Sequence, residues 1–324
     1  MDFAFRWNPA VPLHPMITVP RPARLLATLL LVAALHPQLA AATRTWDGGG
    51  DGIRWTDPLN WSGDTLPGAA DAVVLGAGPE VRLTQSQAQV ATVTSDRSLR
   101  LDEASLTTTG GLEMRQGSNL TLQQATLAGP ILVLDSQLTL AGAATSTQPI
   151  ELQGDSALSG DLPGGLTVVI QGANRGGHAR TVWSSGRVNH GILRQESREG
   201  AWDSVLVPSG GPLINAADGV WQCLAGAKGE RQLEGGVENH GTVTVGSTLR
   251  VLPGAGTGWH QAGGSVEVSP GNFLSLQGGD FRISGGQLSG DVWAVNGTVE
   301  VTEGVATPSI LLLGGQTQFR GNRS

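Results

Sequence analysis

Val243-Thr244-Val245, Leu249-Arg250-Val251, Val266-Glu267-Val268, Leu274-Ser275-Leu276, Phe281-Arg282-Ile283 and Val299-Glu300-Val301 set the beat of this chain from Val237 onward. Each triplet is apolar–x–apolar, the period of two that buries one face of a strand. The gaps carry turn chemistry, as at Gly263-Gly264, Pro270-Gly271, Gly278-Gly279 and Gly285-Gly286. Strands this short and even, with no helical period between them, predict a solenoid wound from strand and turn.

Upstream, residues 80–172 are Leu-dominated, with beats at Leu99/Leu101, Leu112/Met114, Leu120/Leu122, Leu132/Leu134, Leu138/Leu140, Ile150/Leu152 and Leu166/Val168. Residues 173–236 are less regular and hold His178, Trp183, Trp202, Trp221 and many charges. A longer period overlies the short one. Asn189-His190-Gly191-Ile192-Leu193 and Asn239-His240-Gly241-Thr242-Val243 are near-copies, and Asn215 lies close to midway between them. Gly264-Ser265-Val266 echoes Gly241-Thr242-Val243 after a similar interval. Three sides of seven or eight residues make a coil of this size. The fold class predicted is therefore all-β, a parallel β-helix of triangular or L-shaped section, with a β-sandwich series as the runner-up. Asn189, Asn215 and Asn239 then share one corner of successive coils, and their amides form a structural ladder.

The chain has 324 residues, 48 of them Gly, with no Tyr and one Cys. Gly at twice its usual share, without a collagen period, fits a turn-rich fold. Disorder is the alternative composition class, but Leu and Val recur too regularly for it. Residues 1–42 read as an export signal: Arg21 and Arg24, an apolar run over 25–35, then Leu39-Ala40-Ala41-Ala42 as the cleavage site. Met16 is an alternative start that gives a signal of ordinary length. Removing Arg6, Arg21, Arg24 and Asp2 from 20 basic and 27 acidic residues leaves 17 and 26, a net charge of −9. An acidic chain with Lys228 as its one lysine excludes nucleic acid and anionic lipid as expected partners. No span is expected after signal removal. Cys223, alone, has no partner for an internal disulfide and reads as a buried, inert thiol beside Trp221 and Leu224.

Residues 43–79 form a predicted cap module. It opens with Trp46-Asp47-Gly48-Gly49-Gly50-Asp51-Gly52, then Trp55, Asn60-Trp61-Ser62-Gly63-Asp64, Leu66-Pro67-Gly68 and Asp71-Ala72-Val73-Val74. Trp46, Trp55 and Trp61 bury a large area in a short segment, and Asp47, Asn60 and Asp71 can accept from exposed backbone N–H groups. This stretch resembles the opening module of large bacterial exported proteins built from autotransporter-associated strand repeats and related β-helical surface proteins. The resemblance covers residues 44–75; Asn239–Val245 and Asn296–Val301 share the repeat style. It implies a cell-surface or secreted structural passenger; the apolar beats place the β-solenoid over residues 80–324. No membrane barrel follows within these residues, a departure from the autotransporter pattern that leaves export through a barrel of its own without support.

Four functional readings compete with structural readings of the same residues. Calcium would use Asp47, Asp51 and Asp57, but the Gly-Asp repeat that shares ions occurs once. Zinc would need His178, His190, His240 or His260 beside Cys or acids that the spacing does not supply; His14 and His36 leave with the signal. Polysaccharide cleavage would use Arg194, Glu196, Arg198, Glu199 and Asp203, with Trp202 as a sugar platform; a salt-bridged loop explains the same run. Glycan binding would need two or three of Trp183, Trp202, Trp221, Trp259 and Trp293 on one exposed face. The expectation is an exported, adhesin-like scaffold without catalytic residues or cofactors, its partner a surface glycan or another surface protein. The alternative is a carbohydrate-binding or polysaccharide-degrading β-helix protein.

Overall fold

The computed structural model describes residues 41–254, 256–302, 310–313 and 319–320. The predicted export signal, with Met16, lies outside these residues apart from Ala41 and Ala42. The chain winds into a β-solenoid of about 11 coils. Strands pair in parallel, each with its equivalent one coil on, and the coils stack into three faces. The first face climbs from Thr43–Thr45 and Ala72–Leu75 through Ile131–Leu134, Ile192–Ser197 and Thr242–Val245 to Gln287–Ser289. The second runs from Val81–Thr84 through Leu99–Asp102, Gln137–Leu140, Ser204–Pro208, Leu249–Val251 and Val292–Val295 to Ile310–Leu313. The third holds Ala125–Ala128 and Ala144–Ser146 early. Later it holds Leu213–Asn215, Val237–Asn239, Gly258–Gln261, Asp280–Ile283 and Thr298–Val301.

The apolar beats point into one continuous core. Along the second face Val81, Leu99, Leu120, Leu138 and Leu158 stack in register, each fully buried, and Trp183 continues the column. Burying a side chain of this size is worth about 1.5–3 kcal/mol, which is how two residues per strand hold a one-dimensional fold. One beat is corrected. Ile131 and Val133 are the buried pair, while Leu132 and Leu134 point outward. All four positions are apolar, so alternation alone does not choose between the two parities.

Coil length also departs from the near-constant value that the Asn recurrence implies. The early coils are shorter, with Val81 paired to Leu99 and Leu120 to Leu138. The middle widens: Asn189 pairs with Asn215, and Leu193 with Trp221. Leu274 then pairs with Val292 across a coil as short as the early ones. Indole rings appear in the long coils, with Trp183, Trp221 and Trp259 all buried. Leucine suffices where the section is narrow. The irregular texture of residues 173–236 comes from the corner loops over 173–178, 198–203 and 224–230, and from two register shifts where Ala179–Asn189 pairs with Asp155–Leu162; the other rungs stay in register.

Tight corners are made by single residues in the left-handed region. Gln85, Glu103 and Gln124, with φ of 46°, 48° and 48°, join the second face to the third in successive coils. Gln85 N–H donates to the Asp102 carbonyl, and Glu103 N–H to that of Gln123. These coil-to-coil bonds offset a backbone conformation that costs about 1–2 kcal/mol in a non-glycine residue.

The N-terminal module covers two free sheet edges. Thr43–Thr45 pairs with Ala72–Leu75, and Arg54 bridges to Arg82 on the second face. Trp46 and Trp61 meet edge-to-face at 4.9 Å, and Trp55 and Trp61 at 4.8 Å. All three are buried, and the Trp61 indole N–H donates to the Trp55 carbonyl at 2.7 Å. Because Ala72–Leu75 is already a rung, the module grades into the solenoid.

Candidate functional site

Asn189, Asn215 and Asn239 lie in register on the third face with no exposed surface. Asn189 Nδ2 donates to Asn215 Oδ1 at 2.8 Å, and Asn215 Nδ2 to Asn239 Oδ1 at 2.7 Å. Asn239 Nδ2 passes the chain on to Gln261 Oε1 at 3.1 Å. Each second amide hydrogen reaches a carbonyl of the adjoining first face: Val220, Thr242 and Ser265. Buried amides satisfied in this way stitch one coil to the next. Gln261 is the member that sequence reasoning missed. It falls one coil after Asn239, but the residues around it do not repeat the Asn-His-Gly motif.

In the N-terminal module the carboxylates serve backbone donors. Asp51 Oδ1 accepts from the N–H groups of Ile53 and Arg54, both at 2.9 Å, and from Asn60 Nδ2. The Arg54 N–H, then Asn60 and the Ile53 N–H, hold its pKa down to about 2. Asp57 accepts from Asp51 and Leu59 N–H, and Asp47 from Gly49 N–H. Asn60, fully buried, accepts from Gly50 and Gly52 N–H. These oxygens close turns, and among the described residues no group of three His, Cys, Asp or Glu side chains is placed to hold a metal ion. Asp71 ties Ala42, Arg44 and Gly68 together, and the Gly68 N–H is the largest cause of its lowered pKa.

The charged middle is cross-linked between coils. Arg194 donates to Gln222, Glu196 accepts from Gln171, and Glu199 accepts from the Asn174 N–H. Asp203 faces His178 at 3.1 Å and accepts from the Glu230 N–H. Arg175 pairs with Glu113 and Arg198 with Glu151, the two loops leaning across the first face over a groove of about 370 Å³. Of the histidines, His190 bonds Asp218 at 2.8 Å, a contact that lowers the aspartate's pKa, and His240 bonds Glu238 at 2.8 Å. His260 bonds the Ser284 hydroxyl one coil on. These imidazoles are spread along the solenoid and do not converge.

The core of the same region is unusually polar. Gln195 is buried and donates to the Ser204 and Gln232 carbonyls, while its Oε1 accepts from Trp221 at 3.1 Å. Arg231 takes an inward position in register with Leu249, and its guanidinium donates to the carbonyls of Leu224, Lys228 and Gly229. Burial lowers its pKa. Cys223 lies at the core, and burial pushes its thiol well above the ordinary range.

Of the five tryptophans beyond the N-terminal module, three are core. Trp202 is half-buried, stands edge-on to His178 at 5.2 Å and donates to Asn174 Oδ1 at 2.9 Å. Trp293 faces outward on the second face and stacks on Phe273, with ring centroids 3.9 Å apart and planes 7° from parallel. Trp202, in the corner loop that leads into the second face, and Trp293, on that face, stand four coils apart, so among the described residues no face presents a row of indoles. Comparisons with protein-family models, curated proteins and solved structures return no match to this chain.

Proposed function

We propose that this chain is an exported, adhesin-like surface scaffold whose work is to hold a long, rigid, acidic surface, without catalysis. The observation that carries this reading is the use made of the 194–203 run. Every carboxylate and guanidinium there that could serve polysaccharide cleavage is engaged with another coil, through Gln222, Gln171, Glu151, Asn174 and His178. A stacked solenoid supplies stiffness without needing a pocket. Export rests on the sequence of residues 1–42, and kinship with strand-repeat surface proteins on residues 44–75.

The test combines two readouts on the full chain. Made in a Gram-negative host, it is expected to lose residues up to about Ala42 and to leave the cytoplasm. Incubated with neutral and acidic polysaccharides, it is expected to release neither reducing ends nor unsaturated products. An unprocessed cytoplasmic chain overturns export. Turnover lost in Glu196→Gln or Arg198→Ala overturns the non-catalytic reading. Glycan binding without turnover is a second reading, favoured by the outward Phe273–Trp293 stack.

A further inference from the structure

Trp293 stands between Val292 and Ala294, both of which point into the core, so its indole lies on the outer side of the second face. It is in register over Ser275, which is only 2% exposed beneath it. Phe273 belongs to the preceding coil, and the winding of the chain brings the two rings face to face. The outward line of this face reads Gln232, Arg250, Ser275, Trp293, Leu311 in successive coils, passing from polar to apolar along the axis. Arg250 donates to Glu230 at 2.6 Å and to Gln277 Oε1 at 3.2 Å, fixing a planar fork beside the rings. Together these groups line a cleft of about 470 Å³ that also takes in Val295 and Leu313, a volume within the range of about 300–1,000 Å³ usual for small-molecule sites.

We propose that this cleft binds a neutral pyranose glycan, with the Phe273–Trp293 stack as its floor and Arg250, Gln277 and Glu230 as its hydrogen-bonding edge. The proposal rests on the glycan-binding reading and is independent of export. A pyranose ring has two chemically different aspects, an apolar C–H face and a rim of hydroxyls, and the cleft offers a partner to each. Two rings already stacked on each other lose little freedom when a third ring lands on them, which lowers the entropic cost of binding. Arg250 is neutralised by Glu230, so the site has no spare cation for a uronate or sulfate. The acidic chain as a whole disfavours polyanions.

Affinity electrophoresis and calorimetry on the full chain test this, using laminarin and a neutral galactan as probes and polygalacturonate as the acidic comparison. Expected is retardation by a neutral glycan that Trp293→Ala weakens at least tenfold, about 1.4 kcal/mol, with thermal unfolding unchanged. Trp293→Phe keeps a flat ring and retains part of the affinity. Arg250→Met leaves the rings in place and weakens binding several-fold, and Trp202→Ala leaves it unaltered. No retardation by either neutral glycan overturns the proposal, as does preference for polygalacturonate or insensitivity to Trp293→Ala. Self-association abolished by Trp293→Ala, without glycan binding, assigns the patch to a contact between copies and overturns it too. A glycan that is both bound and cut supports the site while overturning the non-catalytic reading.

Discussion

Replacing Asn215 by Ala cuts the amide ladder at its centre. Three hydrogen bonds disappear: from Asn189 Nδ2, to Asn239 Oδ1 and to the Thr242 carbonyl. At a net worth of about 1 kcal/mol each the loss is about 3 kcal/mol, rising to about 5 kcal/mol because Asn239 Oδ1 is left buried without its donor. Urea unfolding followed by tryptophan fluorescence reads the change. With an m-value of about 3 kcal/mol/M, the midpoint is expected to fall by about 1–1.7 M. Asn174→Ala, on an exposed loop, serves as the comparison and is expected to shift it by a few tenths at most. If Asn215→Ala shifts the midpoint no more than this comparison, the ladder does not hold the coils together and the reasoning fails.

Other outcomes follow from local geometry. Gly160 has a φ of +90°, and a Cβ there would meet the Leu140 carbonyl oxygen at 1.9 Å, whereas Gly165, at +82°, has open space. Gly160→Ala is therefore expected to lower thermal stability severely and Gly165→Ala by about 1–2 kcal/mol, compared by calorimetric melting. Cys223 is buried and its thiol pKa is raised. Ellman's reagent is expected to find no reactive thiol in the native chain at pH 8 and one after unfolding. Asp51 has a folded-state pKa of about 2 against an ordinary 3.8. Its contribution is present above pH 3.8 and lost as pH falls through about 2. Near-UV circular dichroism of the clustered tryptophans is expected to weaken across that window, and Asp51→Asn to flatten the dependence.

Much of the architecture could be read from residue spacing, for reasons particular residues make plain. Leu99/Leu101 or Val243/Val245 alternate with polar neighbours, so parity is fixed and the buried pair is known. The run 131–134 is apolar throughout and hides its register. The Asn ladder was legible because one residue type recurs at about a coil's length, and Gln261 was hidden because the type and the motif change together. The corner residues Gln85, Glu103 and Gln124 carry no glycine signal, and at Gln85 and Glu103 coil-to-coil bonds, not intrinsic preference, hold the backbone. For the candidate site the limit was register itself. Phe273 and Trp293 meet only because Leu274 pairs with Val292, and without alignment of the coils nothing links them.

The extra residues of the long coils fall largely at one corner, where the first face turns into the second: 173–178, 198–203, 224–230 and 269–273. The rungs on either side keep their pairing regardless of how many residues cross that corner. It is thus a seam along which chain length is free to vary, and neighbouring loops emerge about 4.8 Å apart, the spacing of the rungs. A foreign peptide grafted into several of these loops would be displayed as a row at that pitch. Residues can be added or removed at this seam without altering the rung pairs that bury the core.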